Sequence, residues 1–305
     1  MLTPRSRAGA TLIELLVAVT VGGVVLALIA GAALGGQRFF SGFGDVMAVS
    51  KQLHESASIV PIDLRGLAVA AGDVTAGEAR DTSVQLRETL ASAVVCDTAV
   101  DGVVLAPAVQ GGGAFAGSVA QLQSDDTAWV LVPLDTTETW TPHRIADVST
   151  TAAGPCSALG PRLRAVEQTE PRSVLRLDSV SSPGALLGRP VRITRLSRYS
   201  LYRSSDGDWY LGHRDWNAAL ARFNTIQPVS GPFASPARGG LRLRYFDSLG
   251  AELAQPVANT RRIALIRATL RAETRQQVRI PGVAVEASGR RVDSVQVTIG
   301  LRNRR

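Results

Sequence analysis

Residues 11–34 are almost wholly apolar, and no charged side chain occurs between Glu14 and Arg38. At about 1.5 Å per residue, a helix over residues 12–34 is long enough to cross a hydrocarbon core of about 30 Å. Arg5 and Arg7 precede the run, and basic flanks of a span tend to stay in the cytoplasm. The pattern predicts a single span with its N-terminus inside and the rest of the chain outside. From Arg38 the pattern turns amphipathic. Phe39, Phe40, Phe43, Val46, Met47, Leu53, Ala57 and Val60 recur at steps of three and four, with Asp45, Lys51, Gln52 and Glu55 between them. That is the helical period. One rod is therefore expected over residues 10–60, embedded in lipid over about residues 12–34. Pro61 is expected to kink or end it.

Beyond Pro61 the period shifts towards two. Residues 69–81 read as a loop, and 83–86 and 93–96 as short strands. Residues 103–122 are low in charge and contain Gly111-Gly112-Gly113, followed by no Lys-Ser or Lys-Thr. They read as a surface loop, not a phosphate loop. Residues 128–134 read as a buried strand, 136–142 as turn-rich, and 150–161 as a loop. Alternation is strongest from Ser173 onward. Strands are expected over 174–180, 190–203, 209–214, 241–246, 262–273 and 294–299. A register change between Leu196 and Tyr199 points to a bulge there. Asp206-Gly207 predicts a type I′ turn, and residues 247–250 a second hairpin turn. The fold class is α+β, a long helix packed on a β-sheet-rich domain over residues 61–305 with room for two lobes.

Composition adds limits. Lys and Arg total 33 against 26 Asp and Glu, a net charge of +7, and Lys51 is the only lysine. A basic chain can bind nucleic acid or anionic surfaces. Here the arginines are scattered and alternate with apolar residues, as in Leu241-Arg242-Leu243-Arg244. They read as solvent-facing strand positions, so nucleic acid is not the favoured partner. Cys96 and Cys156, if bonded, would close a loop of about 60 residues and add several kcal/mol in the entropic model; two unpaired buried thiols are the alternative. Neither has the spacing of a zinc site. His54, His143 and His213 are far apart, and Asp125-Asp126 reads as a solvated turn. No catalytic, metal or cofactor constellation emerges.

Glu14 needs separate treatment. A carboxylate at the centre of a span costs about 2.5–3.5 kcal/mol, less near an end where it can reach the interface. It either sits among headgroups or meets a cation from another chain. The run Gly9-Ala10-Thr11-Leu12-Ile13-Glu14-Leu15-Leu16-Val17, behind a short basic segment, resembles the N-terminal signature of type IV prepilins and type II secretion pseudopilins. The resemblance implies a leader over residues 1–9, cut between Gly9 and Ala10 by a membrane-embedded prepilin peptidase, and N-methylation of Ala10. That family usually has Phe where Ala10 stands. Thr11 and Glu14 would then act in filament assembly, Glu14 meeting the N-terminal amine of a neighbouring subunit. Residues 62–67 and the last third, ending Leu301-Arg302-Asn303, resemble large minor pilins of the W type and the J-type pseudopilin. The function implied by the resemblance is that of a non-enzymatic subunit of a type IV pilus-like filament. It would be anchored in the inner membrane with its domain in the periplasm, and would have other pilins as partners and no cofactor. A DNA-uptake filament or a type II secretion pseudopilus are alternatives within it. A rival reading is an ordinary secretory signal ending at Ala30-Gly31-Ala32.

Overall fold

The computed structural model describes residues 11–68, 72–108, 116–118, 121–134, 137–152, 156–159, 162–178, 183–278, 284–286 and 288–301. Helix α1 runs over Leu12–Arg65, 54 residues, about 80 Å at the usual rise. It does not stop at Pro61, as the local sequence would suggest. Pro61 is buried, and Leu53, Ser56 and Leu64 are at most 3% exposed. The buried stripe continues across the proline, and burying Leu64 favours one more helical turn over a break. The Gln52 amide donates to the Pro232 carbonyl at 2.6 Å, so these last turns are tied into the strand-rich unit.

Fourteen strands lie among the described residues: β1 (Val74–Ala79), β2 (Ser83–Ala99), β3 (Gly102–Leu105), β4 (Ala116–Ser118), β5 (Thr127–Leu134), β6 (Thr137–Thr151), β7 (Arg172–Leu177), β8 (Pro190–Arg203), β9 (Trp209–Asn217), β10 (Arg222–Phe223), β11 (Gln227–Phe233), β12 (Leu241–Phe246), β13 (Leu265–Glu273) and β14 (Val292–Gly300). A short helix α2 spans Ala165–Thr169. The protein is α+β, with one long N-terminal helix entering a strand-rich C-terminal unit.

The central strands close on themselves. β2 pairs β3, β3 pairs β7, β7 pairs β6, β6 pairs β5, β5 pairs β8, and β8 returns to β2, all antiparallel. A ring this small leaves an interior that side chains fill. Val95, Val103, Val130, Ile145, Leu175 and Ile193 are at most marginally exposed there. The small residues Ala91, Ala93, Ala106, Ala116 and Ala128 complete the same cluster. A Cβ on Gly102 would collide with the backbone of Leu175 and Arg176, so β3 and β7 approach closely only because that position is glycine. The sulfurs of Cys96 and Cys156 are bonded, with Cα atoms 5.0 Å apart. Strands β1, β9, β10 and β11 extend the sheet beyond the ring, and β12-β13-β14 form a separate three-stranded sheet.

Several expectations are corrected. Residues 74–79 form β1 because Val74 and Ala79 are buried at its ends. The two short segments around Leu86 and Val95 are one 17-residue strand. The bulge expected between Leu196 and Tyr199 is absent: those residues pair with Arg87–Val84 without a break, and the irregularity lies in β2 between Thr89 and Ala91, opposite Thr194 and Ile193. Residues 102–105 and 116–118 are strands within the stretch read as a loop, and β6 covers the stretch read as turns. Gly111-Gly112-Gly113 lies outside the described residues. Between β8 and β9 only Gly207 has positive φ (88°) among the described residues. The loop therefore closes through Ser204 N–H to Asp208 at 2.9 Å and not through a two-residue type I′ turn.

By compactness the chain divides into residues 1–51 with 273–293, and residues 52–272 with 294–305. In the first unit, besides the helix, the backbone of Thr274 donates to Arg291 at 2.9 Å and that of Val278 to Gly289 at 2.8 Å. The second unit contains the ring.

Candidate functional site: the exposed N-terminal helix

The start of α1 carries a reciprocal cap. The Glu14 carboxylate, through Oε2, accepts the backbone N–H of Thr11 at 2.9 Å and its hydroxyl at 3.0 Å. The Thr11 Oγ1 in turn accepts the Glu14 N–H at 3.4 Å. This is a capping box, in which Thr11 and the acid three residues on each satisfy a donor the helix would leave orphaned. The acid also lies where the helix dipole favours negative charge. Among the described residues both of these bonds fall on Oε2 and no hydrogen bond falls on Oε1. The site therefore holds a carboxylate that is half engaged by its own helix and half open. Gly9 and Ala10, the expected cleavage and methylation positions, lie outside the described residues.

The shaft beyond the cap has an apolar, uncovered surface. Leu12 is 84% exposed, Leu28 70% and Phe40 73%. The hydroxyl of Thr20 donates to the carbonyls of Leu16 and Val17 at 3.0 and 2.9 Å, so this polar group needs no water. Residues 12–62 are long and apolar enough to cross a membrane. Cβ atoms placed on Gly22, Gly23, Gly31, Gly35 and Gly36 would meet nothing within 4 Å. These positions are free for the close approach of another helix. Phe39 stacks on Phe43 with centroids 6.4 Å apart.

Where the helix enters the strand-rich unit, a buried ion pair fixes the connection. Asp73 is fully buried and accepts from Arg192 at 2.6 and 2.9 Å and from the Ala68 N–H at 2.6 Å. The guanidinium lies 5.9 Å from the Trp129 ring centroid and 6.0 Å from that of Trp140. One carboxylate thereby links Ala68, three residues past the end of α1, to the wall of the ring. Asp126, read from sequence as solvated, is 3% exposed and is held by Arg195 at 2.7 and 2.8 Å. That hydrogen bond raises the Arg195 pKa. Asp125 pairs with Arg144. Arg192 and Arg195 thus depart from the solvent-facing role expected of strand arginines. No sequence signal marks these pairs, whose partners are 119 and 69 residues apart. His213, expected to be solvated, is three-quarters buried, 3.0 Å from Glu88, with its ring tilted at 44° to that of Tyr199 and the centroids 4.8 Å apart. No cluster of three metal-ligating side chains occurs among the described residues.

The site is thus a capped, uncovered apolar helix, long enough to cross a membrane, that enters a strand-rich domain. Residues 4–30 match the family model of the prokaryotic N-terminal methylation motif, which supports a pilin or pseudopilin family for the chain. No curated protein matches the chain, and no solved structure does.

Proposed function

We propose that the chain is a large minor pilin or pseudopilin, an initiating or tip subunit of a type IV pilus-like filament. The observation that carries this reading is the Thr11–Glu14 cap at the mouth of an uncovered apolar helix, inside the matched motif. Residues 1–9 are a leader cut after Gly9, and Ala10 then bears the new, N-methylated amine. The N-terminus faces the cytoplasm and residues 61–305 lie in the periplasm, consistent with Arg5 and Arg7 before the span.

In lipid a carboxylate needs a counter-charge. The cap from Thr11 serves while the subunit is alone, and Glu14 Oε1 remains for the terminal amine of a neighbour. A large outer domain fits a rare position at an end of the filament better than a repeated place along the shaft. The test is Glu14→Ala in the native host. Leader removal and membrane insertion are expected to be unchanged, and filament formation to fall. Normal filaments in that variant refute the reading. N-terminal sequencing of the mature protein decides between Ala10 and the Ala33 start that an ordinary signal would leave.

A further inference from the structure

The three-stranded sheet has one covered edge and one open edge. β12 lies at the covered one. There the Leu243 N–H donates to the Asp81 carbonyl at 2.6 Å, the Gln255 side-chain amide to the Leu243 carbonyl at 2.7 Å, and the Leu253 N–H to the Tyr245 carbonyl at 2.8 Å. The outward backbone groups of β12 are thus met within the chain.

β14 lies at the other edge. Its register on β13 follows from a bond at each end. The Thr274 N–H donates to the Arg291 carbonyl at 2.9 Å, and the Leu301 N–H to the Ala264 carbonyl at 3.1 Å. The two bonds are equally spaced along both strands, so no bulge interrupts the ladder between them. Antiparallel strands bond at alternate residues. Val295, Val297 and Ile299 therefore bond to β13, and Gln296, Thr298 and Gly300 turn their N–H and C=O outward. Side chains follow the same alternation. Ile299 is buried, Val295 and Val297 are half-buried, and Gln296 and Thr298 are exposed. No described residue bonds to the outward backbone groups of Gln296, Thr298 or Gly300. From Ser294 to Gly300 there is neither a charge nor a proline, the usual devices by which a sheet edge avoids pairing.

The stretch also complements itself. About Val297 as centre, Gln296 is mirrored by Thr298, Val295 by Ile299 and Ser294 by Gly300. A second β14 laid antiparallel, Val297 against Val297, sets each Gln296 opposite the other copy's Thr298. Those two pairs exchange four backbone hydrogen bonds around the centre. Val297 meets Val297 and Val295 meets Ile299 on the inner face, the β-branched pairs that stabilise ladders. No like charges are brought face to face. Arg267, beside Thr298 on β13, stands one strand behind the seam in each copy, about 14 Å from its counterpart at the usual strand spacing. That exceeds the screening length of about 8 Å at physiological salt.

We propose that β14 is a self-association edge, through which two copies of the chain join their three-stranded sheets antiparallel about Val297. The contact needs neither the leader nor Glu14, so the filament reading can fail without it. The test uses the full chain in detergent, with sedimentation across a concentration series and disulfide trapping. Val297→Cys should give a covalent dimer on mild oxidation. Residues facing each other between hydrogen-bonded pairs have Cα atoms about 4.5 Å apart, within reach of a disulfide. Cys96 and Cys156 are bonded to each other and do not compete. Leu249→Cys, 92% exposed in the turn after β12, reports random collision and should cross-link far less. Thr298→Pro deletes an outward N–H but no bond to β13. It should keep the urea midpoint and weaken the dimer by about tenfold or more, through two lost hydrogen bonds. Thr298→Lys adds the charge that natural edges use and repeats the test without altering the backbone. Dimers formed through the apolar helix would ignore both changes. Monomers at every concentration, equal cross-linking of Leu249→Cys and Val297→Cys, or dimers of parental strength in both Thr298 variants overturn the proposal.

Discussion

Replacing Asp73 tests the join between helix and ring. Asp73 is fully buried and Arg192 is 10% exposed, with two hydrogen bonds between them and a third from Ala68. Removing one member of such a pair strands the other charge in a medium that solvates it poorly. The expected cost is about 3–5 kcal/mol. For a domain of this size that corresponds to a fall in Tm of about 6–20 °C. The assay is urea unfolding of the full chain in detergent, for Asp73→Leu, Arg192→Met and the double variant. The double variant should be more stable than Asp73→Leu, because it removes the stranded guanidinium as well as its partner. If the two single losses sum to the loss in the double variant, or if Asp73→Leu costs less than about 1 kcal/mol, the pair is not what holds this connection.

Replacing Cys96 and Cys156 by Ser opens a loop of 60 residues and should lower stability by about 4 kcal/mol, read as a lower urea midpoint. Leu175→Ala in the ring interior, where Leu175 is fully buried, should cost about 2–5 kcal/mol by the same measurement. Acid should loosen the turn after β12. Asp247 is held below its ordinary 3.8 chiefly by the Ala251 N–H, and Glu252 below its ordinary 4.5 by its hydrogen bond from Arg244. Both carboxylates are stabilising above those ordinary values, and the contribution disappears as pH falls through the lower, folded-state ones. Protection of the Leu249 and Ala251 amides against exchange, taken relative to the unfolded rate at each pH, should therefore fall in that acid range and stay flat above it. Thr11→Val removes the hydroxyl but not the backbone N–H of the cap and should slow filament formation less than Glu14→Ala does. Equal defects in a piliation assay would mean that the hydroxyl matters as much as the acid.

The ends of the chain were more legible than its middle. The span is a local pattern, written in residues 11–34, and the structure keeps it within one helix; the Thr11–Glu14 cap is equally local, three residues apart, but was not read from the sequence. The strand 190–203 was legible because its alternation and the Asp206-Gly207 turn are local too, although the loop closes differently. Closure of the ring could not be read. It depends on β8 meeting both β2 and β5, and those contacts involve Arg192 and Thr194, residues that look solvent-facing by type. β1 was missed because Asp73 and Gly77 resemble turn residues, whereas Asp73 is buried by its bond to Arg192. The extension of α1 past Pro61 was missed because the buried stripe through Leu64 outweighs a local helix breaker.

The ring of six strands has a consequence for how copies of the chain can meet. A sheet with a first and last strand offers rows of unsatisfied amides to any neighbour, and two copies can zip together through them. A circle of strands offers none along its paired stretch. Two copies therefore cannot fuse through that part of their backbones; open edges belong to the strands beyond the ring and to the separate three-stranded sheet.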